Sequence, residues 1–159
     1  MILIAHRGLT DGPDPERENH PDRIEAALAE GWDCEIDVWW NDYWFLGHDA
    51  PTWAVTLDFL CMPGLWLHCK NIEALQQLSQ TSMLYSLNYF WHDRDAYTLT
   101  GQRYIWTYPG KPLAPMSICV QPEWEADWRE TVGGLTCSGI CSKHVREIDQ
   151  IRSIKDFRK

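Results

Sequence analysis

The sequence predicts an α/β fold, built from short apolar strands that alternate with helices. Seven apolar runs are separated by turns or helical stretches, and this alternation favours a largely parallel sheet. Seven strands with short connections suggest a barrel. The chain has only 159 residues, whereas (β/α)₈ barrels usually need about 250. We therefore expect a trimmed, incomplete barrel, with a small open α/β sheet as the alternative.

The first half of the chain carries the clearest strand and helix signals. Residues 1–5 ("MILIA") predict the first strand, and a polar loop follows it. "PDRIEAALAEG" (21–31) has apolar residues at helical spacing and a closing glycine. "DCEIDVWW" (33–40) predicts the second strand, and residues 43–49 predict a short hairpin return after the turn at "ND".

The second half predicts more strands and fewer helices. Residues 65–70 predict the third main strand, and residues 71–80 predict its helix, with Asn71 as the N-cap. Further strands are predicted at 83–90, 103–110, 116–122 and 138–142, and a terminal helix at 143–154. This spacing leaves little room for helices after residue 81. Because no repeat, low-complexity tract or linker divides the chain, we expect one domain over residues 1–159.

Composition and charge limit the classes of partner. The formal net charge is −9, which argues against nucleic acid because phosphate backbones require basic patches. A small phosphorylated substrate needs only a few cations or a metal. Ten tryptophans indicate that some apolar surface is exposed, and a homo-oligomer would be one way to cover it.

The cysteines and the N-terminus indicate the compartment. Three of the six cysteines fall in apolar strand-like runs, no CxxC pair exists, and "CSGIC" (137–141) is a weak metal signal. "MILIAHRG" has too few apolar residues for a signal peptide or a transmembrane span. We therefore expect a reduced, cytoplasmic protein with no transmembrane segment.

Two carboxylates interrupt the second strand. Side chains alternate along a strand, so Glu35 and Asp37 share one face. Burial of a charge costs several kcal/mol unless the charge is paired or bound to a metal. A hard divalent cation such as Mg²⁺ or Ca²⁺ suits two such oxygen ligands. Salt bridges to Arg or Lys are the alternative interpretation.

Polar side chains also gather at the ends of neighbouring strands. His68 and Lys70 share one face of the third strand, and His6 and Arg7 follow the first. His48 follows the short run after the second strand. In α/β sheets and barrels the carboxyl ends of the strands form the active site. The pattern therefore predicts a catalytic or phosphate-binding site.

These motifs resemble the glycerophosphodiester phosphodiesterase family, within the superfamily of phosphatidylinositol-phospholipase-C-like phosphodiesterases. In chain order the matching pieces are "HRG" at 6–8, "EN" at 18–19, "EID" at 35–37 and "HD" at 48–49. The similarity is strong over residues 1 to about 70 and weak beyond. It implies a TIM barrel that hydrolyses glycerophosphodiesters, or related phospholipid head groups, to an alcohol and a phosphomonoester.

The resemblance also implies roles for particular residues. His6 and His48 would be the general acid and base. Glu35 and Asp37 would hold one divalent cation, Mg²⁺ or Ca²⁺ in the family. Arg7 and Lys70 would contact phosphate. A metal together with two cationic side chains suits the charge that develops on the non-bridging oxygens.

The chain departs from the family pattern at His68. The family has its third metal-binding acid at this position. Histidine is a softer ligand, which favours Mn²⁺ or Zn²⁺ over Mg²⁺ or Ca²⁺. Glu123 could supply the missing metal-binding acid instead; the alternative is that Glu123 is a solvated surface residue. Lys143 stands after the last strand, where the family tends to carry an acid.

Three functions remain open from the sequence. The first is a metal-dependent phosphodiesterase that acts on a small diester. The second, motivated by His68 and the short chain, is a protein that binds phosphate or a phosphodiester without effective catalysis. The third is a lyase with the same histidine pair, which would release a cyclic phosphate.

Overall fold

The computed structural model describes residues 1–156, except for the side chains at 83, 84 and 156, and shows a mixed α/β fold. The ten strands are β1 Ile2–His6, β2 Asp33–Trp40, β3 Trp44–Leu46, β4 Trp53–Val55, β5 Leu65–Cys69, β6 Asn88–Trp91, β7 Tyr97–Leu99, β8 Ile105–Thr107, β9 Ser117–Val120 and β10 Gly139–Ser142. The five helices are α1 Pro21–Ala29, α2 Leu57–Leu60, α3 Ile72–Tyr85, α4 Trp128–Thr131 and α5 Val145–Asp156. Two 3₁₀ turns lie at Pro122–Trp124 and Val132–Gly134.

Seven of the strands run parallel in one sheet. Their order is β6-β5-β2-β1-β10-β9-β8. The strands β3 and β4 extend β2 as antiparallel partners, and β7 is antiparallel to β8. Over residues 1–156 no strand ladder joins β6 to β7, although the Gly101 amide donates to the Tyr89 carbonyl oxygen. The α/β prediction is confirmed, and the barrel stays a prediction.

The alternation along β2 separates a core face from a polar face. Cys34, Ile36 and Val38 are fully buried in the largest hydrophobic cluster, which also contains residues of α1 and α3. Glu35 and Asp37 point to the opposite face, as the alternation predicts. Because β2 lies between β1 and β5, it holds these two acids beside the ends of both neighbours.

The strand predicted at 83–90 is wrong in its first part. Helix α3 continues from Ile72 to Tyr85, and Ser86 ends it in the left-handed region at φ 53°. A short apolar run fits a helix as well as a strand, and no glycine or proline interrupts residues 71–86. The strand itself begins at Asn88. The N-cap prediction is confirmed, since the Asn71 side chain accepts from the Ala74 amide.

The second half has few helices between its strands. The connections from β7 to β8 and from β8 to β9 contain none, and α4 has only four residues. Two short strands, β4 and β7, were not predicted. None of the described helices is long and apolar enough to cross a membrane. All six cysteines are free thiols, and Cys34, Cys69, Cys137 and Cys141 are buried.

Candidate functional site

The register of three parallel strands brings the candidate site residues together. His6 is the last residue of β1 and lies opposite Glu35 on β2. Asp37 lies opposite His68 on β5. The loops that follow β1 and β5 then supply Arg7 and Lys70. The site predicted at the carboxyl ends of the strands therefore has a structural basis in this sheet.

Glu35, Asp37 and His68 form a compact cluster of metal-ligating atoms. One atom from each residue lies within 4.8 Å of the other two. His68 Nδ1 lies 3.0 Å from Asp37 Oδ1 and 3.5 Å from Glu35 Oε1. Each acid is 1% exposed. The cluster could hold a metal ion, as the sequence predicts.

The two acids differ in their cationic partners. Asp37 lies 3.1 Å from Arg7 Nε and 3.3 Å from Lys70 Nζ. The Asn19 side chain donates to Asp37 Oδ2 at 2.9 Å and accepts from the Asp37 amide at 2.8 Å. Glu35 has no Lys or Arg side chain within 4.0 Å among the described residues. The salt-bridge interpretation therefore accounts for Asp37 and not for Glu35.

The hydrogen-bond donors around the Glu35 carboxylate are all at long distance. Its Oε2 accepts a 3.3 Å hydrogen bond from the Arg7 amide and lies 3.6 Å from His6 Nε2. His68 Nδ1, at 3.5 Å, is its other neighbour. A carboxylate that is 1% exposed normally requires a closer cation. Glu35 is thus the group whose burial a bound metal would best explain.

Electrostatics favour a proton on His68 in the metal-free protein. Burial alone would lower the pKa of His68, but the Asp37 and Glu35 carboxylates raise it to about 9. Burial alone would raise the pKa of Asp37, but His68, Arg7 and Lys70 bring it well below its usual range. A metal ion that binds here must displace the proton from His68 Nδ1.

The second nitrogen of His68 is fixed by the backbone. His68 Nε2 lies 2.8 Å from the carbonyl oxygen of His92, which can only accept, so Nε2 carries a hydrogen. The ring stacks on Phe90 with centroids 5.2 Å apart. Both contacts direct Nδ1 toward the two acids. Such a bond from the outer nitrogen is the usual support of a metal-binding histidine.

The donor set fits a divalent metal by distance and by chemistry. Ligands that lie 2.0–2.2 Å from one ion are about 3.0–3.6 Å apart, and both His68–carboxylate distances fall in that range. In the metal-free protein Asp37 Oδ1 lies 3.0 Å from His68 Nδ1 and 3.3 Å from Lys70 Nζ, so a metal ion would take the place of the His68 proton beside this oxygen. Two carboxylates and one imidazole nitrogen suit Mn²⁺ or Zn²⁺ better than Ca²⁺.

A cavity of about 390 Å³ opens in front of this cluster. It is lined by the site residues His6, Arg7, Glu35, His48, His68 and Lys70, and by an aromatic wall of Trp106, Tyr108 and Trp124. The structure thus places six of the seven predicted site residues on one cavity; the seventh, Asp37, is buried behind it.

The two predicted catalytic histidines differ in environment. His6 is 7% exposed, and burial lowers the pKa of its ring despite the nearby Glu35, so the ring is neutral at pH 7. His48 lies in the loop after β3, and its side chain is 40% exposed. Its Nδ1 is 2.7 Å from Asp49 Oδ1, which orients the ring. The environments suit a base at His6 and an acid at His48.

Sequence reasoning gave no role to several residues that support the site. Glu18 pairs with Arg7 at 2.5 Å and also with Lys143, which follows β10. Asn19 is fully buried and holds Asp37 from both sides. Glu18 and Asn19 form the "EN" motif of the sequence. The sequence singles out Lys143 only as a departure from the family pattern, and no local signal indicates its pairing with Glu18, 125 residues away.

Two further residues near the cluster have surroundings that the sequence does not indicate. The His92 ring is half-buried and lines the cavity. Glu123 is not a solvated surface acid, since it accepts from the Ser142 hydroxyl at 2.7 Å and from the Lys143 amide at 3.0 Å. It lies outside the Glu35–Asp37–His68 cluster.

Comparisons with known proteins add no assignment. No protein-family model, no curated protein and no solved structure matches this chain.

Proposed function

We propose that this chain is a metal-dependent phosphodiesterase that hydrolyses a small glycerophosphodiester-type substrate on a trimmed TIM-barrel-like fold. One observation supports this most: Glu35 and His68, two of the three side chains in the candidate metal cluster, line a cavity together with two cations and two further histidines. Metal, cations and an acid–base pair are the groups that phosphodiester cleavage uses.

The chain's own residues would bind and orient the phosphate. Glu35, Asp37 and His68 would hold one divalent ion, which when bound supplies Lewis-acid stabilisation of the phosphoryl oxygens. Arg7 is fixed between Asp37 and Glu18, so its guanidinium is oriented before substrate arrives. Lys70, held by Asp37, adds a second positive charge on the cavity wall. Both cations favour the dispersed negative charge of the transition state.

The two histidines would divide the proton transfers. His6 is neutral at pH 7 because its ring is buried, so it can accept the proton of the attacking water. His48, oriented by Asp49, would protonate the departing alkoxide oxygen. Water adds to phosphorus as the ester P–O bond breaks, and the products are an alcohol and a phosphomonoester.

A turnover assay tests this function. Bis(p-nitrophenyl) phosphate and glycerophosphocholine are incubated with the protein in EDTA, and then with Mg²⁺, Ca²⁺, Mn²⁺ and Zn²⁺ in turn. We expect turnover of both substrates to require a metal, and turnover of glycerophosphocholine, whose leaving alkoxide needs a proton, to fall at least about 100-fold in His6→Ala and in His48→Ala. His144→Ala is the matched control, because His144 lies outside the cavity lining. Turnover that survives both site variants would refute the assignment.

A second candidate function is phosphate or phosphodiester binding without catalysis. The site has as many carboxylates (Glu18, Glu35 and Asp37) as Lys and Arg cations (Arg7, Lys70 and Lys143), so its formal charge is balanced without a metal. A proton on His68 adds a positive charge that suits an anion. This candidate predicts calorimetric binding of inorganic phosphate in EDTA and no turnover with any metal. Product analysis separates hydrolysis from a lyase, which would release a cyclic phosphate.

A further inference from the structure

We propose that Tyr108 and Trp124 form the binding surface for one ester arm of the substrate, and that this arm carries a cationic ammonium group. The inference rests on the proposed function in one respect: the phosphate is taken to lie beside Arg7 and Lys70. It assigns the aromatic side of the cavity, to which the phosphodiesterase chemistry gives no role.

The order of the strands separates the cations of the cavity from its aromatic residues. Arg7 and Lys70 follow β1 and β5 and form a first end, where an anion is favoured. Tyr108 and Trp124 follow β8 and β9, beyond β10, and form a second end. A phosphodiester held at the first end must direct one of its two arms toward the second. The chemistry of that second end therefore selects the arm.

The aromatic surface is built around an unusually exposed tryptophan. Trp124 is 59% exposed, although a tryptophan ring is normally more stable when it is buried. It makes an edge-to-face contact with Tyr108, with centroids 6.2 Å apart and ring planes at 82°. Tyr108 in turn lies 5.9 Å from the His92 ring. The three rings hold one another in place and leave a Trp124 surface free for a ligand.

The backbone that presents Trp124 is held by several contacts. Gln121, which also lines the cavity, adopts φ 45°, a left-handed conformation that is rare for a non-glycine residue. Its amide donates to the Cys141 carbonyl oxygen at 2.7 Å. Glu123 is fixed by Ser142 and by the Lys143 amide. Such strain persists where surrounding structure enforces it, commonly at ligand sites.

The charges at this end favour a cationic arm over a neutral or anionic one. Among the described residues that line the cavity, the Lys and Arg are Lys70 and Arg7, which follow β5 and β1, whereas the acidic Asp93 is next to His92, whose ring lies 5.9 Å from Tyr108. The faces of tryptophan and tyrosine carry negative potential and attract ammonium groups. A neutral polyol could stack on the rings but would gain nothing from this potential. The cavity as a whole thus matches a zwitterionic diester.

The test compares two ligands of one shape and different charge. Methyl phosphocholine and its uncharged-arm isostere, methyl 3,3-dimethylbutyl phosphate, are titrated calorimetrically into the full chain carrying His6→Ala, with Mn²⁺ present, so that turnover does not consume them. We expect the cationic ligand to bind about tenfold more tightly. Adding Trp124→Ala or Tyr108→Ala should reduce that preference to about twofold or less.

Controls and contrary results are distinct from those of the turnover assay. Trp91→Ala is the matched control, since Trp91 is 40% exposed and does not line this cavity. Equal affinities for the two ligands, a preference that survives Trp124→Ala, tighter binding of methyl phosphoglycerol, or no binding of either ligand would each overturn this proposal. Turnover of bis(p-nitrophenyl) phosphate would then still support the proposed function. A Trp124-dependent preference without turnover would support this proposal and refute catalysis.

Discussion

Glu35 and Asp37 are two residues apart on one strand face, yet they have different partners. Asp37 is paired with Arg7 and Lys70 and held by Asn19. Among residues 1–156, the polar neighbours of Glu35 are imidazole and amide groups at 3.3–3.6 Å. The same substitution, acid to amide, should therefore have different consequences at the two positions.

Neutralisation of Asp37 should cost far more stability than neutralisation of Glu35. In the metal-free protein, Asp37→Asn leaves Arg7 and Lys70 without their buried carboxylate, and removal of one partner of a buried pair costs about 3 kcal/mol or more. Glu35→Gln removes no Lys or Arg partner, so we expect about 1 kcal/mol or less. Urea unfolding in EDTA at pH 7 measures both. Equal losses would show that Glu35 is paired as Asp37 is.

The proton on His68 should make metal binding depend on pH. Because Asp37 and Glu35 raise the pKa of His68 to about 9, a metal ion displaces one proton at any lower pH. The apparent dissociation constant for Mn²⁺ should therefore fall about tenfold for each unit by which the pH is raised from 6 to 8. Titration calorimetry in buffers of different ionisation enthalpy measures both the affinity and the proton released.

The control for this prediction is His68→Glu. Carboxylates are already ionised between pH 6 and 8, so the slope should vanish and the preference should shift toward Mg²⁺ or Ca²⁺. A pH-independent affinity in the wild-type chain would mean that His68 is not a ligand.

Which residues meet could be predicted from the sequence, because parallel strands share one edge. The strand-end rule brings His6, Glu35, Asp37, His68 and Lys70 together without any coordinates. The rule says nothing of which acid has a cationic partner. That difference arises from the backbone conformation of loop residues, which sets where their side chains point. Arg7, for example, has φ 56°, and no local pattern in the sequence encodes this.

At the scale of elements, the turn between β3 and β4 carries His48 and depends on one glycine. Gly47 has φ 148°, and a side chain there would collide with the Ala50 carbonyl oxygen and with Thr52. The Trp39 indole also donates to the Gly47 carbonyl oxygen at 2.6 Å. The position of His48 thus follows from backbone geometry that only glycine allows.

Gly47→Ala should therefore impair catalysis while leaving the metal site intact. The substitution displaces the His48 turn, so we expect kcat for glycerophosphocholine, whose leaving alkoxide needs a proton, to fall by about tenfold or more. Mn²⁺ affinity should not change, because its ligands lie on β2 and β5. Gly31→Ala is the control: Gly31 has φ 94°, and a side chain there meets no atom within 4 Å. Unchanged kcat in Gly47→Ala would argue against a catalytic His48.

The elements of the first half were more predictable than those of the second. The bounds of β2 follow the expectation, because its alternation of polar and apolar residues is unambiguous. Residues 83–85 are helical because α3 continues through an apolar run that alternation alone cannot distinguish from a strand. The strands β4 and β7 have three residues each, too few for a recognisable pattern.

At the scale of the whole molecule, ion pairs link the end of the sheet's last strand to its first. Lys143, which follows β10, pairs with Glu18. Glu18 also pairs with Arg7, and Arg7 in turn pairs with Asp37 on β2. The chain's two halves therefore meet at the site, and the second half supplies the cavity's aromatic wall. These long-range partners are set by the fold, which is why sequence spacing did not reveal them.

Binding of one divalent ion by Glu35, Asp37 and His68 is the property on which the proposed chemistry depends. The most direct test is anomalous diffraction from crystals grown with Mn²⁺. We predict one strong peak about 2.0–2.3 Å from a carboxylate oxygen of each acid and from His68 Nδ1. A map without a peak among these three side chains, with His68 still directed at Asp37, would contradict the claim and leave a metal-free phosphate-binding protein as the better description.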